Sequence, residues 1–204
     1  MVSSLVLFLR MPQNKLDADY WSNRYQQQQT GWDIGYGSTP LVEFLQSVTD
    51  KTISILIPGC GNAYEADWLL QNGFTNVTVL DISPVLTAAL KERFNDQPIN
   101  IITADFFEHQ QQYDLILEQT FFCALDPALR SKYVEHMHQL LKSGGRLVGV
   151  LFNRQFEGGP PFGGTQEEYE SLFSKLLHIK KMELCNNSIP PRKGSELFFI
   201  AEKN

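Results

Sequence analysis

Cysteine is scarce in this 204-residue chain: Cys60, Cys123 and Cys185 are odd in number and far apart. They spell neither a disulfide framework nor a paired metal or redox motif, and a reducing cytoplasm is the expected compartment. Positive charge is also short, with 17 Lys and Arg against 23 Asp and Glu and a net charge of -6. A nucleic-acid surface needs the opposite balance, so no nucleic-acid partner is expected. Histidine occurs only four times. His136 and His138, two apart, face different ways on a helix, and His109 lies in a polar stretch, so no metal site is expected. A bilayer-length apolar run is missing too. Leu5 to Leu9 in MVSSLVLFLR is too short to span a membrane and lacks the flanks of a secretory signal. For residues 1–10, disorder, an alternative start at Met11 and a docked amphipathic stretch stay open. The sequence sets no oligomeric state.

What is present is an alternation of strand and helix signals. TISILI (52–57), NVTVL (76–80), INIITA (99–104), YDLILE (113–118) and RLVGVLF (146–152) are short apolar, β-branched runs. Two more strands are predicted near 178–184 and 196–202. Residues 63–70 favour a helix. Ser83-Pro84 reads as a cap followed by proline at the first helical position, opening a helix to about Phe94. Asp126-Pro127 repeats that start. Leu129, Tyr133, Val134, Met137, Leu140 and Leu141 then share one helical face, and Gly144-Gly145 is expected to end the helix. Thr165 and Glu168 have capping-box spacing ahead of a helix to about Leu177. The expected fold is α/β: an open, mostly parallel sheet of seven strands, helices on both faces, and a C-terminal antiparallel hairpin. Residues 51–204 form the folded domain. Residues 1–50 precede the sheet and are expected to cover its ligand edge as a lid.

The chemistry sits at the strand ends. In LIPGCGNAYEADWL, Gly59 and Gly61 let a ligand approach the main chain. Asp81, with Ile82 beside it, ends the second strand, where a carboxylate accepts from both ribose hydroxyls. The third glycine of a G-x-G-x-x-G fingerprint is replaced by Tyr64, which argues against a pyrophosphate. Glu65 adds negative charge at the same helix start. S-adenosylmethionine carries a ribose, an ammonium and a sulfonium but no phosphate, and suits acids better than NAD does. Asp105 ends the third strand and can accept from an adenine amino group, with Phe106 packing on the ring; a helix cap beside a core phenylalanine is the competing explanation.

LIPGCG, LDIS, ADFF, TFFCALDPALR, LLKSGGRLVGVLF and EGGPPF, in that order, resemble the thiopurine methyltransferase family, and most of all its plant-type thiol and halide methyltransferases. The likeness runs from about Trp21 to the C-terminus. It implies a Rossmann-like class I methyltransferase fold and S-adenosylmethionine as cofactor. YWSNRYQQQQTGWDIG is similar to the family's N-terminal stretch of spaced aromatics, with Trp21 and Trp32 matching and Tyr25 in place of a middle tryptophan. A sulfonium over such faces gains cation–π attraction, and a closed aromatic lid excludes water. Gln119 falls where relatives carry tyrosine or arginine beside the cofactor. The loop Pro160-Pro161-Phe162, with Trp21, Trp32 and Arg192, is expected at the acceptor; for Arg192 a plain hairpin turn stays equally open.

Methyl transfer by direct displacement needs no enzyme nucleophile, so no catalytic residue is assigned and Cys60 and Cys123 are read as packing. The expected acceptor is a small nucleophile: a thiol, hydrosulfide, thiocyanate or halide. Two other functions stay open at this point. An NAD-dependent oxidoreductase is opposed by Tyr64 and by the lack of a separate substrate domain. A non-catalytic adenosine- or partner-binding module is possible because fold alone does not prove turnover.

Overall fold

The computed structural model describes residues 15–204; the readings for residues 1–10 lie outside them. Helix α1 (Ala18–Gln26) and α2 (Thr39–Gln46) precede the sheet. Then β1 (Ile55–Pro58), α3 (Tyr64–Gln71), β2 (Val77–Asp81), α4 (Pro84–Arg93), β3 (Ile99–Thr103) and β4 (Tyr113–Gln119) alternate. Helix α5 (Arg130–Leu140), β5 (Leu141–Phe152), α6 (Gln166–Phe173), β6 (His178–Leu184) and β7 (Glu196–Glu202) complete the chain. The sheet order is β3-β2-β1-β4-β5-β7-β6. β7 pairs antiparallel with both β5 and β6, and the other pairings are parallel.

β1 and β2 are buried at every position, as parallel strands covered on both faces must be. Alternation along β1 splits the core in two. Ile55 and Ile57 face the layer of α2, α3 and α4 with Leu41, Leu69 and Leu86, while Leu56 faces the layer of α5 and α6 with Tyr133, Met137 and Phe173. The caps form as expected. Ser83 Oγ accepts from Leu86 N, and Thr165 Oγ1 accepts from Glu168 N. No helix of the described residues is long and apolar enough to cross a membrane.

Two boundaries depart from expectation. Helix α5 ends at Leu140, not at the glycine pair, because Leu141 already pairs with Tyr113 of β4. The register then slips to Leu115 opposite Arg146, and Gly144 and Gly145 occupy the bulge. A Cβ on Gly145 would lie 2.9 Å from Lys142 O and 3.0 Å from Tyr113 O. Gly144 N donates to Lys203 O, and Lys203 N to Gly145 O, so the pair serves the sheet. Helix α6 stops at Phe173, short of Leu177, whose side chain is buried beyond the last turn. After Asp126 the chain makes a single 3-10 turn before α5 begins.

Candidate functional site

The carboxyl ends of β1, β2, β3 and β4 meet at one edge of the sheet, and α1 packs across that edge against α4, with Ser22 Oγ 3.0 Å from Ser83 Oγ. Between them lies a cavity of about 530 Å³. It brings together thirteen of the fourteen side chains or backbone positions expected from sequence: Trp21, Tyr25, Trp32, Gly59, Gly61, Asp81, Ile82, Asp105, Phe106, Gln119, Pro160, Pro161 and Arg192.

One end is built on the glycine turn. Gly59 and Gly61 have φ of +56° and +52°, and a Cβ on Gly59 would lie 2.2 Å from the Phe121 ring. At Gly61 the nearest atom to a Cβ is the Tyr25 hydroxyl at 3.6 Å. Asp81 is buried, and Ser83 N donates to its Oδ1 at 2.9 Å. Burial pushes its carboxyl up to about 6 against the opposing pull of that amide. Asp105 Oδ1 accepts from Phe107 N at 2.9 Å, so the helix-cap role is real and shares the carboxylate with the cavity. Phe106 is buried edge-on to Phe121, centroids 5.1 Å apart. Gln119 Oε1 is buried without a hydrogen-bond partner.

The other end is aromatic. Trp32 stands edge-on to Trp21 and Tyr25, at 5.5 and 5.9 Å. Burial first, and the Asp81 carboxylate second, push the Tyr25 hydroxyl upward and keep its proton in place. Arg192 Nη2 donates to Trp32 O at 2.9 Å, Nη1 lies 3.4 Å from Glu196 Oε1, and the guanidinium sits over Phe152. The arginine expected at an anionic acceptor therefore also ties the C-terminal segment to the aromatic one.

Phe162 is the exception. It does not line the cavity. Its ring covers Gly159, where a Cβ would meet it at 2.4 Å, and its N donates to Cys123 O at 2.7 Å. Glu65, the acid at the start of α3, is tied up within the fold. It is buried, its Oε1 accepts from Ser38 N at 2.8 Å, and burial pushes its carboxyl up. That carboxylate anchors the start of α2 while lining the cavity. Burial drives the Cys60 and Cys123 thiols well above their ordinary range, which removes both as nucleophiles.

Sequence reasoning missed several residues. Asp33 Oδ2 accepts from Asn62 Nδ2 and from Tyr64 Oη, joining the aromatic segment to the glycine turn. Its place beside Trp32 in GWDIG was the only available signal. Thr120 lines the cavity at φ +60°, a costly angle for a β-branched residue. The buried Glu118 lies two residues before it: its Oε1 accepts from Phe121 N and Phe122 N, both at 2.9 Å, and its Oε2 from Tyr133 Oη at 2.5 Å.

The donor set decides which adenosine cofactor fits. A pyrophosphate wants free amides and no anions at a helix start. Helix α3 opens instead with Glu65 and Asp67 in its first turn, and among the described residues no lysine lines the cavity. A left-handed glycine cradle, a strand-end carboxylate, an unpartnered carboxamide oxygen and an aromatic wall suit a ribose, an ammonium and a sulfonium. The residues fit S-adenosylmethionine.

Solved structures place the fold among class I S-adenosylmethionine-dependent methyltransferases. The 1,6-didemethyltoxoflavin-N1-methyltransferase of Burkholderia thailandensis, solved with S-adenosylhomocysteine, superposes with a TM-score of 0.71 at 18% identity, covering 92% of this chain and 87% of that one. Magnesium protoporphyrin IX methyltransferase from Synechocystis PCC 6803, solved with S-adenosylmethionine, also gives 0.71, at 13% identity over 92% and 95% of the two chains. The chain belongs to the thiopurine S-methyltransferase family, whose profile matches residues 16–203. It is 29% identical over 185 residues to the probable thiol methyltransferase 2 of Arabidopsis thaliana, covering 86% of this chain and 81% of that protein. It is 28% identical to the thiopurine S-methyltransferase of Vibrio vulnificus (strain YJ016), over 81% and 85%. The protein is an S-adenosylmethionine-dependent methyltransferase acting on a small nucleophile, and the oxidoreductase and non-catalytic readings are set aside.

Proposed function

We propose that the methyl acceptor is a small, soft nucleophile that arrives anionic or nearly so: a thiol, hydrosulfide, thiocyanate or halide. One observation carries this reading. Among the described residues no histidine or lysine lines the cavity, and its two cysteines hold their protons. The carboxylates that line it have their own partners: Asp33 with Asn62, Glu65 with Ser38, Asp81 with Ser83 and Asp105 with Phe107. A wall without a free base suits an acceptor that needs no deprotonation. The names of the Arabidopsis thaliana relatives, a probable thiol methyltransferase and a thiocyanate methyltransferase, agree.

The proposed cofactor contacts are Gly59 and Gly61 for the methionyl end, Asp81 and Ile82 for the ribose, and Asp105 and Phe106 for adenine. Trp21, Tyr25, Trp32 and Gln119 complete that set. Trp21, Trp32, Pro160, Pro161 and Arg192 face the acceptor. Bound S-adenosylmethionine supplies a methyl group on a positively charged sulfur. The chain aligns the reactants, keeps water out and strips hydration from the incoming anion. In this reading residues 15–50 serve as the lid over the ligand edge, the compartment is a reducing cytoplasm in keeping with three free cysteines, and no nucleic acid takes part.

Titration with S-adenosylhomocysteine, S-adenosylmethionine and NAD, followed by methyl transfer to hydrosulfide, thiocyanate, iodide and an aromatic thiol, tests the reading. Binding of the first two and transfer to members of this set is the expected result. Transfer only to an amine overturns it.

A further inference from the structure

The segment that brings Pro160 and Pro161 to the cavity, residues 157–164, has no helix or strand of its own. What holds it lies behind it, at the first residue of α5. Arg130 Nη2 donates to Gly163 O at 2.7 Å and reaches Phe162 O at 3.4 Å, and Nη1 meets Glu168 Oε1 at 2.5 Å. The Arg130 side chain is 8% exposed, whereas that of Glu168 is 46% exposed. The guanidinium lies over Phe122 and Tyr169, at 4.9 and 5.8 Å from the ring centroids. Phe122 belongs to the turn after β4, and the next residue's carbonyl, Cys123 O, receives Phe162 N. One side chain thus holds both segments that wall the acceptor end, the proline loop by hydrogen bonds and the β4 turn by stacking.

Helix stability does not explain this arginine. A cation at a helix N-terminus opposes the macrodipole. Its Nε is buried with no acceptor, a cost that a surface arginine would avoid. The loop offers no slack in return: a Cβ on Gly163 would lie 1.8 Å from Arg154 O, and one on Gly164 would lie 2.4 Å from Tyr169 Oη. A planar fork is needed to serve a carbonyl and a carboxylate at once, and lysine has none.

We propose that Arg130 is a positioning residue for the methyl acceptor: it sets the spacing between the Pro160-Pro161 loop and the turn after β4, and with it the width of the cavity's acceptor end. The inference rests on the acceptor reading given above. It acts through the loop and touches neither reactant.

The test is Arg130→Lys in the full chain. The acceptor KM for thiocyanate and for an aromatic thiol should rise tenfold or more. kcat at saturating acceptor should stay within threefold, and the Kd for S-adenosylhomocysteine within twofold. Thiocyanate titrated calorimetrically into the S-adenosylhomocysteine complex should weaken by the same factor as its KM, a readout free of turnover. An unmoved acceptor KM in a folded variant overturns the proposal. So does an equal loss of S-adenosylhomocysteine affinity, which would make Arg130 a general brace of the fold. If Arg130→Lys does not fold, Glu168→Gln on the exposed side of the pair decides: a rise of about threefold in acceptor KM supports the proposal, and none overturns it. Wild-type protein inactive on every acceptor tried would instead remove the acceptor reading, and the proposal with it.

Discussion

At the glycine-turn end of the cavity the two strand-end carboxylates are held by neighbours two residues away, Ser83 N on Asp81 and Phe107 N on Asp105, while Glu65 and Asp33 take partners 27 to 31 residues off. At the acceptor end the supporting bonds span 15 residues from Tyr133 to Glu118, 33 from Arg130 to Gly163 and 160 from Arg192 to Trp32. At its strand-end carboxylates the first end is shaped by local turns and caps that recur wherever a strand meets a helix. The second is assembled by buried polar side chains that reach across the fold, so its shape depends on packing far from the ligand.

The largest expected effect breaks the comparison, because Gly59 and Phe121 connect the two ends. Gly59→Val adds a side chain where a Cβ already lies 2.2 Å from the Phe121 ring, at a φ of +56°. Strain and overpacking together should cost about 3 kcal/mol or more of stability. Urea unfolding and S-adenosylhomocysteine titration should both record the loss; a stable variant with full affinity would refute the close fit.

Next is the acceptor-side support. Burial pushes the Glu118 carboxyl up to about 7 from its ordinary 4.5, with Tyr133 Oη and two amides opposing. The folded protein then holds a proton on Glu118 that the unfolded chain gives up. The resulting stability is fully present below about pH 4.5 and is lost as pH rises through about 7. The change amounts to roughly 3 kcal/mol at most. Asp81, pushed up to about 6, adds a slope of the same sign. Glu118→Gln keeps an oxygen for the Phe121 and Phe122 amides and an NH₂ for Tyr133 Oη. It should flatten its share of the decline between pH 4.5 and 8 in urea midpoints, and an unchanged slope would count against a protonated Glu118.

Asp81→Ala sharpens the comparison from the other side. It should weaken S-adenosylhomocysteine by ~1–3 kcal/mol, the scale of hydrogen bonds to a charged group. The acceptor KM at saturating cofactor should hardly move. Equal losses in both would mean that the ends are not separable. The smallest effect is expected for Arg192→Gln, which gives up the bond to Trp32 O and the stack on Phe152. An acceptor KM several-fold higher, about 1 kcal/mol, with cofactor affinity intact, would place Arg192 on the acceptor side.

The parts legible in the sequence share a physical character. Strand runs, Ser83-Pro84, Thr165 with Glu168, and the glycine turn act over two to four residues, and each formed where its chemistry sits. Reasoning failed where a distant partner outweighed a local signal. Gly144-Gly145 resembles a helix stop, yet Leu141 pairs with Tyr113 first and the glycines become a bulge. Phe162 does not line the cavity, and it packs its ring on bare Gly159 while its N donates to the Cys123 carbonyl.

The order of strands and helices, the bare backbone at Gly59 and Gly61, and acids at the ends of β2 and β3 were determined by sequence alone, because each rests on periodicity, capping or a single residue's backbone freedom. Only the tertiary structure decided that Asp33 joins the aromatic segment to the glycine turn, that Glu118 gathers the Phe121 and Phe122 amides and the Tyr133 hydroxyl, and that Arg130 holds the proline loop. Those are hydrogen bonds of buried polar groups, and a buried polar group takes whichever partner the packed fold brings within reach.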